Sequence, residues 1–195
     1  CQGMFMTSLR THVHSAPDPL DTIEECYRRG WTDGLPVVPP TPDRVSAMLD
    51  YVGLDRRRVL EEVPVRRRTL TAEQAAANAV IAGCLPEYFP IVLTTMQALF
   101  DRDPNCIHEL SAVTNSTGVL ILINGPIRQN IGLNCTDNLL SPGNRANSTI
   151  GRALRLILMN VFEQRPGILD RGCMGSTAKY SVCFGEDEEN SPWTP

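Results

Sequence analysis

Asn144-Arg145-Ala146-Asn147-Ser148-Thr149-Ile150-Gly151-Arg152-Ala153-Leu154-Arg155-Leu156-Ile157-Leu158-Met159-Asn160-Val161 is the stretch whose reading decides the fold. Ile150, Leu154, Ile157, Leu158 and Val161 stand at i, i+4, i+7, i+8 and i+11, one apolar stripe at helical spacing. A long helix therefore begins near Asn144, and Arg165-Pro166-Gly167 terminates it. Outward on the N-terminal side lies Val119-Leu120-Ile121-Leu122-Ile123, a continuous apolar run closed by Asn124-Gly125-Pro126. Such a run predicts a central strand buried on both faces, ended by a turn. Tyr180-Ser181-Val182-Cys183-Phe184 is a final strand, followed by the acidic stretch Glu186 to Glu189. Helix and strand together predict one α+β (or α/β) domain over residues 19–195, a mixed central sheet with flanking helices. Residues 1–18 read as a flexible arm.

Punctuation earlier in the chain is clear. Pro19 opens a short helix that Gly30 stops. The prolines Pro36, Pro39, Pro40 and Pro42 impose an extended segment. Thr41 then caps a helix to about Tyr51, with Pro42 at its first position. Val59 to Leu70 is β-like and carries Arg66-Arg67-Arg68. Thr71 and Gln74 form a capping box for the Ala-rich helix Ala72 to Ile81. Gly83-Cys84-Leu85-Pro86 breaks it, and Tyr88 to Phe100 is a further, largely buried helix.

The chain has 195 residues, 42% apolar and 21% charged, with a formal net charge of −4. That charge argues against a nucleic-acid-binding domain. No run of apolar residues is long enough for a membrane span. The opening residues carry no apolar signal core, so the expectation is a cytoplasmic protein. Seven scattered cysteines without a Cys-x-x-Cys read as reduced, mostly buried thiols. Cys84, just before Pro86, is the best reactive candidate, though a buried small residue is the plainer reading. His12 and His14 sit in the arm and His108 stands alone, so no structural metal is expected. Seventeen of the eighteen basic residues are Arg, and Lys179 is the exception.

Ser141 to Arg152 is the most informative segment for chemistry. A small-residue turn feeds straight into a helix, whose first amides lack intrahelical acceptors and whose dipole favours an anion. Asn144, Arg145, Asn147 and Arg152 are its candidate anion-binding residues. Arg145, Ser148, Arg152 and Arg155 fall roughly on one face. These arginines bind either an anion or the chain's own acids, such as Glu186 to Glu189. Asn124, at the end of the strand, marks either a ligand contact or a plain turn. Asn78, polar within an Ala-rich helix, makes either a core hydrogen bond or a site contact. Asp33 is an ordered acid–base candidate or the head of an Asx-turn. Glu87 and Tyr88 follow Pro86 at a helix start, where the dipole favours the carboxylate. No Gly-x-Ser-x-Gly occurs, which argues against a serine hydrolase.

Several segments, taken in order, resemble a known family. They are Tyr27 to Thr41, Asn78 to Tyr88, Asn124-Gly125-Pro126, Pro142 to Asn147, Ile150 to Ala153 and Ser191-Pro192-Trp193. The chain resembles the companion proteins of UGSC-type (seleno)proteins, over roughly residues 20–195. The resemblance implies a hetero-oligomer with a homologous or UGSC-type partner subunit. It extends to a two-subunit enzyme of azinomycin biosynthesis that closes an aziridine ring by expelling sulfate. It thus implies a lyase- or cyclase-type enzyme of antibiotic biosynthesis acting on a small anionic metabolite. Sulfate would be held by Asn144, Arg145 and Arg152, no cofactor is needed, and Asp33, Glu87 or a partner's acid is the base. The alternative is a non-catalytic supporting subunit. One departure stands out: the family's Gly-His-Pro-Gly-Lys-Tyr reads Gly175-Ser176-Thr177-Ala178-Lys179-Tyr180 here.

Overall fold

A computed structural model describes His14, residues 18–101, Ala112 and residues 114–193. Most of the expected arm, together with His12 and His108, lies outside the described residues. Helix α1 (Pro19–Arg28) starts with Pro19 behind an Asp18 cap that accepts from the Leu20 amide. An extended strap follows, its Val38 amide bonded to the Ile81 carbonyl at 3.2 Å. Helix α2 (Pro42–Val52) ends on Gly53 in the left-handed region, φ 64°. Thr41 occupies the cap position of α2, but its hydroxyl makes no capping bond.

Strands β1 (Val59–Val63) and β2 (Arg68–Thr71) form an antiparallel hairpin whose register includes Val63 against Arg68. Thr71 then caps α3 (Ala72–Ala82), and the capping box with Gln74 is complete in both directions. Ala72, Ala75, Ala76 and Ala79 are wholly buried, so this helix packs close to its neighbours. A short turn, Pro86–Tyr88, leads into α4 (Phe89–Asp101). Strand β3 (Ile121–Ile123) precedes the short α5 (Ile127–Asn130), then α6 (Arg145–Asn160) and β4 (Cys183–Gly185). Strands β3 and β4 pair in parallel, Ile121 against Cys183 and Ile123 against Gly185.

The fold is α+β, with helices around two small sheets. Helix α6 sits at its centre. The predicted stripe of Ile150, Leu154, Ile157 and Leu158 is buried, but so are Ala153, Leu156 and Met159 around the rest of the helix. Helices α3 and α4 both pack on it, β4 touches it, and Ser181 and Val182, which lead into β4, pass close by it at Gly151. The helix ends at Asn160, before the expected Arg165-Pro166-Gly167 stop, and Glu163 turns the chain at φ 60°.

Strand β3 departs from expectation. Ile121 and Ile123 are buried, whereas Leu120 is 58% exposed and Leu122 49%. Ile121 and Ile123 turn toward the core and Leu120 and Leu122 away from it, and β4, paired with β3, packs on α6.

Candidate functional site

The first turn of α6 is built by Asn144. Its side-chain oxygen accepts from the Asn147 amide at 3.1 Å, and its amide nitrogen donates to the Gly132 carbonyl at 2.7 Å. The cap thereby fastens the Gly132–Asn134 loop across the helix N-terminus. Asn147 completes the fastening by accepting from the Asn134 amide at 2.9 Å and donating to the Asn134 carbonyl at 3.1 Å. A groove of about 410 Å³ opens here, lined by residues that include Gly132, Asn134, Asn138, Ser141 and Asn144. Its polar groups are amides, a hydroxyl and backbone, and none of its lining side chains is ionisable.

Arg145 stands at the head of the same helix. Its Nε and Nη2 both donate to the Gly83 carbonyl, at 3.0 and 2.9 Å, closing the C-terminus of α3. Its charge reaches Tyr88 and Cys84. Burial pushes the Tyr88 phenol up, Arg145 pulls it back, and Glu87 and Cys84 push it further. Glu87 is half-buried and makes no hydrogen bond or ion pair with the described residues. Glu87, Tyr88 and Arg145 are thus electrostatic neighbours, whereas of the site candidates only Asn144 lines the groove. Cys84 is buried, as in the plainer reading of it. Its thiol, buried and donating to the Thr149 carbonyl at 3.3 Å, is pushed up to about 12 by burial.

The remaining candidates are drawn into the fold. Arg152 grips Asp33 with a two-pronged fork, Nε to Oδ2 and Nη2 to Oδ1, both 2.8 Å. It also donates to the Pro36 carbonyl at 2.9 Å and so ties the strap to α6. Asp33 accepts the Leu35 amide at 3.2 Å, the Asx-turn geometry. Burial pushes its carboxyl up, but the Arg152 bond and charge outweigh that and hold it below the ordinary range. Asp33 is therefore a poor base, and Arg152 has little left for a ligand. Asn78 makes the core bond: it accepts from Asn160 at 2.8 Å and joins α3 to α6. Asn124 lies at the far end of β3, where it donates to Glu186.

Two clusters escaped the sequence reading. Arg128, almost fully buried, meets Glu188 at 2.6 Å and Glu189 at 3.1 Å, and so takes the acids expected to pair with the α6 arginines. Arg155 stands ten residues beyond Arg145, about 80° round the helix, at the edge of the Arg145–Arg152 face, and meets Asp170 at 3.2 Å. Lys179 joins the same carboxylate at 2.7 Å. The signal for this cluster was the lone Lys in a chain that otherwise uses Arg, with Arg155 set between Leu154 and Leu156.

Among the described residues no group of His, Cys, Asp and Glu side chains could hold a metal ion, and no helix is long and apolar enough to cross a membrane. Set against models of protein families, curated proteins and solved structures, the chain matches none of them.

Proposed function

We propose that this chain is one subunit of a hetero-oligomeric, cofactor-independent enzyme acting on a small anionic metabolite, and that the groove at the head of α6 is its share of the site. The observation that carries the reading is the groove itself: about 410 Å³, at the N-terminus of a 16-residue helix. Backbone amides and neutral side chains there suit an anion. They supply no ionisable proton acceptor, so the acid–base group comes from Glu87 or from the second chain. The exposed Leu120 and Leu122 at β3 favour a second chain. Parallel strands are ordinarily covered on both faces, and exposed leucines side by side mark a contact surface.

In its sharpest form the reaction is intramolecular displacement of sulfate to close an aziridine. The amine nitrogen attacks the carbon that carries the sulfate ester. The C–O bond breaks, its electron pair leaves with sulfate, and the amine proton passes to the base. The groove would stabilise the charge gathering on sulfate. The supporting-subunit alternative draws on the engagement of Asp33, Arg152 and Asn147 within the chain.

Co-purification with the products of neighbouring genes, followed by native mass spectrometry and a sulfate-release assay, tests the reading. A stoichiometric hetero-complex that releases sulfate from an amino sulfate ester supports it. A stable homo-oligomer that takes up no partner and has no activity overturns it. A complex whose turnover is unchanged by filling the groove, as with Ser141→Trp, assigns this chain the supporting role.

A further inference from the structure

Behind α6, remote from the groove, is a second cavity of about 20 Å³. Arg155 and Lys179 line it, with Thr117, Gly118, Gly151 and Gln164. Its walls approach closely because two of them are glycine. A Cβ on Gly118 would lie 2.9 Å from that of Ala178, and one on Gly151 would lie 2.4 Å from the Ser181 hydroxyl.

Among the described residues the charges around this space do not balance. Arg155 and Lys179 side chains are each 10% exposed and Asp170 is 7% exposed. Asp170 accepts Lys179 through both oxygens, at 2.7 and 2.9 Å, and Lys179 also donates to the Asn115 carbonyl at 3.4 Å. Arg155 gives one N–H to Asp170 at 3.2 Å, and the rest of its guanidinium finds no hydrogen-bond acceptor among the described residues. Among the described residues two cations share one carboxylate, which does not itself line the cavity. An excess charge that is nine-tenths buried draws a counter-charge, and the remaining Arg155 N–H groups, not sealed from solvent, leave a place for one.

We propose that this cavity binds a monovalent halide, chloride in solution, held by Arg155 with Lys179 beside it. The volume exceeds the roughly 10–15 Å³ that a single small occupant needs, and two cations on one carboxylate leave a single positive charge, which a monovalent ion balances. A water molecule would fill the space and accept from Arg155, but it would leave the positive charge uncompensated. The proposal is independent of the function proposed for the groove.

Crystals of the full chain grown or soaked in sodium bromide test it through anomalous scattering. The expected result is one bromide peak between Arg155 and Lys179. In solution, melting in sodium chloride should exceed melting in sodium gluconate of equal ionic strength, by roughly 5–10 °C at a hundredfold excess over Kd. Lys179→Gln removes the excess charge and should abolish the difference, whereas Asp170→Asn adds to it and should enlarge the difference. Water density in the cavity without bromide, or equal melting in the two salts, overturns the proposal. Should the variants fail to fold, the bromide map of the unaltered chain decides.

Discussion

At the residue scale, the Arg152–Asp33 fork shows how a candidate site residue becomes part of the scaffold. Both side chains are largely buried, and their bonds tie the strap to α6 across 119 positions of sequence. Removing one partner leaves a buried charge alone, which costs about 3–5 kcal/mol; Arg152→Met should lower the urea midpoint accordingly. The pair also sets an acid limb. The Asp33 carboxyl is lower in the folded chain than in the unfolded one. Its contribution is therefore complete above the ordinary carboxylate pKa of about 4 and is lost as pH falls through the folded value. Urea midpoints between pH 6 and pH 2 should fall along that limb, and Asp33→Asn should flatten it; an unchanged slope would contradict the assignment. The thiols give a second check. Cys84 and Cys183 are buried, each with its thiol pushed up to about 12, whereas Cys173 is exposed. Iodoacetamide at pH 8, read by peptide mass spectrometry, should label Cys173 and spare both buried thiols until the chain is unfolded.

At the element scale, what could be read in the sequence was what depends on neighbours in the chain. The capping box at Thr71, the Pro19 and Pro42 helix starts and the α6 stripe are local, and they stand as expected. Partners chosen across the fold were not legible. Periodicity marks the apolar side of α6, but it does not show that packing by α3, α4 and β4 buries Arg155 as well. An apolar run such as Val119 to Ile123 predicts a strand without saying how many faces are covered. In the candidate site, Asn144 and Arg145 were legible because helix starts are. The Asn147–Asn134 and Arg152–Asp33 bonds depend on loops whose course the sequence does not mark. Gly151 gives the sharpest test of α6 packing. Gly→Ala inside a helix ordinarily stabilises. Here the added Cβ would meet the Ser181 hydroxyl at 2.4 Å and its Cα at 3.1 Å. Gly151→Ala should therefore destabilise by about 1–3 kcal/mol, measured by urea unfolding, and a gain in stability would contradict the β4–α6 contact.

At the scale of the whole molecule, two features bear on the proposed assembly: the open groove and the exposed Leu120 and Leu122 of β3 and its lead-in. Leu122, 49% exposed, tests the second of them. Leu122→Lys should leave the unfolding midpoint of the isolated chain within about 0.5 kcal/mol and weaken the hetero-complex, read by native mass spectrometry. An unaffected complex would move the interface elsewhere. The central claim, an anion-binding groove at the head of α6, is tested most directly by titrating sulfate into the ¹⁵N-labelled chain and following backbone amide shifts. The account predicts saturable shifts at Gly143, Arg145 and Ala146, which Ser141→Trp abolishes. Shifts that are absent there, or spread over the surface arginines without saturating, would contradict it.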